Sequence, residues 1–162
     1  MTVCFTGHRP QSLPFGFDET HPDCVNLKNR LSDEIGKLIA QGATTFYTGM
    51  AQGIDTFAAE AVLQYKKTNP AIRLIAAIPC PDQAIKWRLS DQKRYNSILA
   101  QCDQKVLVSP NYHRGCMHQR NRFMVDNAHV LIAVYDGTSK GGTAYTVNYA
   151  KEKGLTVIEL IP

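Results

Sequence analysis

Short apolar segments of strand composition alternate along this chain with segments of helical periodicity. The strand-like segments are rich in β-branched, aromatic and aliphatic residues, and they span 2–6, 44–48, 72–78, 106–109, 130–135 and 155–161. Between most of them, apolar residues recur at the three- and four-residue spacing of a helix. Strands that are joined by helical crossovers form a parallel sheet with helices on both of its faces. The pattern therefore predicts an α/β fold built on a doubly wound, mainly parallel, six-stranded Rossmann-like sheet.

The length fits one domain. The chain has 162 residues, enough for a single domain with a full core, and we assign residues 1–162 to it. No apolar run reaches the roughly 18 residues that a membrane helix needs, and the first residues enter a strand pattern rather than a signal peptide. We therefore expect a cytoplasmic protein without a membrane partner. Domains of this kind often pair, so a homodimer stays open.

The cysteine count and the net charge limit which metal sites and ligands the chain can have. The five cysteines are odd in number and form no C-x-x-C pair, which argues against a disulfide framework and a zinc ribbon. We expect no metal site. The net charge of +4 fits an anionic small ligand and permits nucleic acid, but it requires neither.

Two glycine-containing turns follow strands of the predicted sheet. One spans 49–53 and leads into a helix that starts at Ile54; the other spans 140–143. Glycine lets the backbone approach another group closely, and a helix N-terminus offers free N–H groups to an anion. Thr143 is predicted to cap its helix and to offer a hydroxyl. Neither turn is a Walker A loop or a full G-x-G-x-x-G, and glycines that serve only packing stay an alternative.

Three segments carry a resemblance to a known family. They are T-G-H-R-P at 6–10, T-G-M-A-Q-G-I-D at 48–55 and K-G-G-T-A at 140–144. Together they resemble the YpsA-like family of the SLOG superfamily, a group of Rossmann-like proteins that includes the DNA-processing protein DprA and the LOG "lysine decarboxylase-like" proteins. Residues 119–123, Q-R-N-R-F, also resemble an R-N-R element of DprA. The resemblance implies a nucleotide-like or nucleotide-derived ligand, for example an ADP-ribose-like one, without naming it.

Such ligands bind at the carboxyl ends of parallel strands, near the point where the strand order reverses. The candidate ligand-binding residues are those in the predicted strand-end turns and in the R-N-R segment. They are Thr6, Gly7, His8, Arg9, Gly49, Met50, Ala51, Gln52, Gly53, Asp55, Arg120, Arg122, Asp136, Lys140, Gly141, Gly142 and Thr143.

The favoured function is binding or sensing of this ligand without catalysis. The first alternative is hydrolysis of an N-glycosidic bond, as in LOG proteins, whose P-G-G-x-G-T-x-E motif carries a carboxylate two residues after its threonine. Tyr145 takes that position here. A phenol with a pKa near 10 is a poor general acid or base at neutral pH, which counts against an enzyme. Asp55 and Glu60 stay possible carboxylates, although Asp55 is better explained as a residue that holds its own turn together.

The second alternative is binding of single-stranded nucleic acid, as in DprA. Arg120 and Arg122, with Lys86, Arg88 and the aromatic residues Trp87 and Tyr112, have the side chains that bind phosphates and stack on bases. The charge excess is small for a dedicated DNA-binding protein, so this alternative ranks below a small ligand.

Overall fold

The computed structural model describes all residues, 1–162. Its strands and helices alternate along the whole chain, with a short 3-10 turn at Pro10–Ser12. In chain order they are β1 (Thr2–Gly7), α1 (Pro22–Ala40), β2 (Thr45–Thr48), α2 (Ile54–Thr68), β3 (Arg73–Ile78), α3 (Leu89–Gln101), β4 (Gln104–Leu107), α4 (Cys116–Asp126), β5 (Val130–Val134), α5 (Gly142–Glu152) and β6 (Thr156–Leu160).

The six strands form one sheet in the order β4-β3-β2-β1-β5-β6. All five neighbouring pairs are parallel, so the predicted fold class is confirmed and the sheet is parallel throughout. Strand β1 lies in the middle, with β2 on one side and β5 on the other, and Gly7 at its end is in register with Val134. The strand order reverses between β1 and β5. A crevice for a ligand is expected at the carboxyl ends of these two strands.

Side chains of the central strands alternate between two apolar layers, because successive residues of a strand point to opposite faces. Val3 and Phe5 of β1 belong to the larger layer, which packs against α1 and α2. Cys4, between them, belongs to the smaller layer, which packs against α4 and α5. Because both faces are covered, central strands such as β5 are apolar at every position and fully buried.

Two elements start ahead of their apolar residues for identifiable reasons. Strand β4 is an edge strand that begins at Gln104, and its first two residues are exposed, so an apolar pattern misses its start. Helix α1 begins at Pro22, ahead of its apolar stripe, because the His21 side chain accepts a hydrogen bond from the N–H of Asp23. None of the helices combines the length and the apolar character that crossing a membrane requires.

Candidate functional site

A polar cavity of about 520 Å³ opens at the carboxyl ends of β1 and β5. Its walls come from the loop after β1, the loop after β5 with the start of α5, the first two turns of α4, and the β2–α2 turn. The predicted site residues that line it are Thr6, Gly7, His8, Arg9, Ala51, Asp55, Arg120, Asp136, Lys140, Gly141, Gly142 and Thr143. Segments far apart in the sequence thus meet where the strand order reverses.

The other predicted site residues do not line this cavity. Gly49 and Met50 are buried in the turn below it, and Met50 has a left-handed φ of 58°. Gln52 and Gly53 line a narrow neighbouring cleft instead. Arg122 is exposed on α4.

The cavity also has lining residues that the sequence pattern missed: Gln11, Ser12, Met117, His118, Asn121 and Thr138. Three of these lie on α4, which leads from the edge strand β4 back to β5. Their position depends on the strand order, which no local pattern reveals. The R-N-R segment was the one available signal, because Asn121 is its central residue.

The turn after β2 is closed around a buried arginine. Arg120 is only 3% exposed, and its guanidinium donates a hydrogen bond to the main-chain carbonyl of Gly49. Gln83 donates to the same carbonyl at 2.9 Å. A Cβ atom at Gly49 would lie 2.5 Å from Nη1 of Arg120 and 2.7 Å from Oδ2 of Asp55. Glycine is therefore required at position 49 by the protein's own packing.

Asp55 and Arg120 bring two charged groups into this buried turn. Burial raises the pKa of the Asp55 carboxyl, although Arg120, the N–H of Ala51 and Arg9 act in the opposite direction. Burial likewise lowers the pKa of Arg120, against the effect of Asp55. Oδ2 of Asp55 accepts a hydrogen bond from the N–H of Ala51 at 3.2 Å. Asp55 therefore holds its own turn together while one side of it lines the cavity.

His8 and Asp136 connect the loops on the two sides of the crevice. The N–H of His8 donates to the carbonyl of Val134 at 3.1 Å, and the N–H of Asp136 donates to Nε2 of His8 at 3.2 Å. The N–H of Thr138 donates to the Asp136 carboxylate at 3.0 Å. This bond, together with His8, lowers the pKa of Asp136.

The start of α5 forms the open side of the cavity. Gly141 is the N-cap, with a φ of 98°, and no side chain caps the helix. The prediction that Thr143 is the cap is wrong: Thr143 is the second residue inside the helix, where its hydroxyl cannot take that role, and it is buried against the cavity. The first N–H groups of α5 have no partner within the helix. A Cβ at Gly142 would meet no atom within 4 Å, so packing does not require glycine there.

Two cations face this cavity without a carboxylate partner. Arg9 and Lys140 line it, and neither belongs to any ion pair of the protein. Both residues are exposed. The electrostatics of the cavity mouth therefore favour an anion.

The sequence model of the YspA SLOG family matches residues 3–158. The chain belongs to the YspA SLOG family. This match confirms the family that the three sequence motifs predicted. Similar proteins include a UPF0398 protein of Halalkalibacterium halodurans, 26% identical over 153 residues that cover 93% of this chain and 80% of that protein. The SPbeta prophage-derived protein YoqJ of Bacillus subtilis is 32% identical over 145 residues, which cover 82% of this chain and 84% of that protein.

The structure of this YspA SLOG protein is also similar to a solved structure of DNA processing protein A from Helicobacter pylori, for which a single-stranded DNA binding mode is described. The TM-score is 0.64 at 19% sequence identity, and the match covers 98% of this chain. It covers 64% of that protein, so the chain spans less than two thirds of its length. At this identity the likeness shows the shared fold.

Proposed function

We propose that the protein binds a nucleotide-derived small ligand, with the ligand's phosphate in the cavity at the carboxyl ends of β1 and β5, and that it does so without catalysis. The observation that carries the proposal is the start of α5. Its free N–H groups, the unpaired Lys140 and the unpaired Arg9 surround one cavity. Helix N-termini with glycine turns and cations are a common phosphate site in proteins.

Gly142 supports the same conclusion by exclusion. Packing inside the protein explains the glycines of the turn after β2. A Cβ at Gly49 would collide with Arg120, and a Cβ at Gly53 would lie 2.9 Å from the carbonyl oxygen of His8. No internal contact accounts for Gly142. Room beside the N–H groups of α5 is what a phosphate in contact with the backbone needs.

The remaining polar walls suit the sugar of a nucleotide. Asp136, Asn121 and Ser12 line the cavity beside the cations, and carboxylate, amide and hydroxyl oxygens accept hydrogen bonds from ribose hydroxyls. The volume of about 520 Å³ lies within the usual range for small-molecule sites. A bare phosphate would leave most of this space unused.

A thermal-shift screen of nucleoside phosphates, dinucleotides and ADP-ribose tests the proposal. A ligand at about 100 times its dissociation constant stabilises the native state by roughly 2.7 kcal/mol. At about 2–4 °C per kcal/mol for a domain of this size, the cognate ligand should raise the melting temperature by roughly 5–11 °C. A screen in which no compound raises it would contradict the proposal.

Single-stranded nucleic acid is the second candidate ligand. The likeness to the Helicobacter pylori protein over 98% of this chain favours it, and the cavity would accept a strand phosphate as readily as a nucleotide phosphate. The modest net charge of +4 favours the small ligand. Affinity for an oligonucleotide, measured at several salt concentrations, separates the two candidates. For a single strand, the logarithm of the binding constant falls with the logarithm of the salt concentration, with a slope of about −0.7 per neutralised phosphate.

Hydrolysis of an N-glycosidic bond ranks last. Tyr145, at the position of the LOG carboxylate, is 40% exposed and does not line the cavity. Asp55 does line it, but its carboxylate is engaged by the N–H of Ala51. Glu60 lies outside it and forms an ion pair with Arg94.

A further inference from the structure

A second cleft of about 490 Å³ adjoins the polar cavity, and Met117 lines both. The second cleft is mostly apolar, with walls that include Ile85, Trp87 and Tyr112. Tyr112 is 71% exposed, the largest fraction among the exposed large hydrophobic residues, and Ile85 is 67% exposed. Apolar side chains concentrated in an exposed concave surface mark a binding site more often than scattered ones do.

The two cavities differ in what they can bind. Ala51 and Met117 are the two hydrophobic residues among those that line the polar cavity, so it offers no flat apolar surface. A nucleotide carries a charged phosphate and a polar sugar at one end and a flat aromatic base at the other. The polar cavity suits the first end, and the aromatic cleft supplies the surface that the second end needs.

The wall of the cleft is also attached to the turn after β2. Gln83 lines the cleft and donates to the carbonyl of Gly49, which accepts a hydrogen bond from Arg120 of the polar cavity as well. Trp87 is held by an edge-to-face contact with Tyr95, with ring centroids 5.5 Å apart. Trp87 is therefore held in position relative to the polar cavity.

We propose that the cleft lined by Trp87, Tyr112 and Met117 binds the nucleobase of the ligand whose phosphate occupies the polar cavity. This inference rests on the proposed function and adds the subsite for the base. The base belongs either to a free nucleotide or to the end of a nucleic-acid strand, because the chemistry that the cleft recognises is the same in both.

The test compares ligands with and without a base. Affinities of ribose 5-phosphate and of the nucleoside 5′-monophosphates AMP, GMP, CMP, UMP and dTMP are measured by calorimetry, together with protein fluorescence. Trp87 is the one tryptophan of the chain, so all tryptophan emission comes from this residue, which lines the aromatic cleft and the narrow cleft beside Gln52. We expect at least one nucleotide to bind more tightly than ribose 5-phosphate and to change the Trp87 emission, whereas ribose 5-phosphate leaves the emission unchanged.

The decisive variant is Tyr112→Ala, because its exposed side chain has little part in folding. It should weaken nucleotide binding by about fivefold or more, the lower range for loss of one stacked base, and leave the affinity for ribose 5-phosphate unchanged. The matched control is Ile161→Ala, because Ile161 is as exposed as Tyr112, at 70%, and lines neither cavity. It should leave the affinities for both ligands unchanged. Comparison of dTMP with a thymidine tetranucleotide identifies the source: much tighter binding of the tetranucleotide assigns the base to a strand.

The outcomes separate this inference from the proposed function. Equal affinities for ribose 5-phosphate and every nucleotide, with unchanged Trp87 emission, would overturn the base subsite and leave the phosphate site intact. Nucleotide binding that is unchanged in Tyr112→Ala, or that falls equally in Ile161→Ala, would overturn it as well. Failure of every compound to bind would overturn the proposed function, and the base subsite with it.

Discussion

The guanidinium of Arg120 donates a hydrogen bond to the main-chain carbonyl of Gly49, although 71 positions separate the two residues in the chain. The bond joins α4, which packs in the smaller apolar layer, to the end of β2. It fixes the first turns of α4 above the carboxyl ends of the strands. The cavity therefore has a wall that comes from the second half of the chain.

Gly49→Ala should destabilise the protein through this contact. The new Cβ would lie 2.5 Å from Nη1 of Arg120, so the guanidinium must move and give up its bond to the carbonyl. We expect the free energy of unfolding to fall by about 1–3 kcal/mol, as in other overpacked sites, when it is measured by chemical denaturation. Gly142→Ala is the control, because no atom lies within 4 Å of its Cβ position, and its effect should stay within about 0.5 kcal/mol. Equal effects of the two substitutions would contradict the packing argument.

Arg9→Ala should abolish most of the ligand-induced stabilisation without unfolding the protein. Arg9 is exposed and in no ion pair, so the ligand-free melting temperature should hardly change. The shift of roughly 5–11 °C expected for the cognate ligand should fall to a small fraction of that value. Lys67→Ala, which removes an exposed cation from α2, serves as the control for net charge. A full shift in Arg9→Ala would show that the phosphate does not contact the loop after β1.

Glu19 should contribute to the acid sensitivity of the fold. Burial alone would raise the pKa of Glu19, but hydrogen bonds from Arg94 and Lys28 and their charges lower it to about 2. The unfolded chain takes up this proton near pH 4.5. The stabilisation by Glu19 is therefore complete above that pH and is lost as the pH falls from 4.5 towards 2.

Glu19→Gln should accordingly lower the free energy of unfolding at pH 7 and flatten its fall across that acid window. We expect an effect on the order of 1 kcal/mol, because solvent screens an ion pair with side chains 31% and 34% exposed. Denaturation curves at a series of pH values provide the measurement, with the exposed Glu152→Gln as the control. An unchanged acid dependence would show that the ion pair does not contribute.

Arg122→Ala should distinguish the two candidate ligands. Arg122 is exposed on α4 outside the cavity, so its loss should leave nucleotide affinity unchanged. Under the favoured proposal, a single-stranded oligonucleotide binds weakly and dissociates near physiological salt. Tight oligonucleotide binding that persists at that salt and that Arg122→Ala weakens would establish the second candidate in its place. Fluorescence anisotropy of a labelled oligonucleotide supplies both results.

Incubation with nucleoside 5′-monophosphates should release no free base above background. Proton transfer needs a group within reach of the scissile bond, and Tyr145 does not line the cavity. Chromatography of the reaction mixture is the measurement. Steady release that depends on the protein would contradict the non-catalytic proposal, and Asp55→Asn would then be the variant that identifies the carboxylate.

Local patterns predicted the parts of this molecule that depend on local physics. The apolar run of β5 and the start of α2 at Ile54 follow from composition and glycine placement, and the structure confirms both. The R-N-R segment predicted Arg120 of α4 as a site residue, but Met117 and His118 could not be predicted, because they reach the cavity only through the strand order. The prediction that Thr143 caps α5 was wrong, because Gly141, with its φ of 98°, is the N-cap and the threonine lies inside the helix. The packing role of Gly49 depends on Arg120, and no spacing rule connects the two residues.

The link between His8 and Asp136 uses one ring nitrogen for two partners. Nε2 lies 3.2 Å from the main-chain N of Asp136 and 3.3 Å from its Oδ1. A neutral imidazole with its proton on Nδ1 accepts the N–H through Nε2, whereas an imidazolium donates from Nε2 to the carboxylate. The ring keeps a partner on the same residue in either protonation state. Either form of the ring therefore joins the loop after β1 to the loop after β5 at the mouth of the cavity.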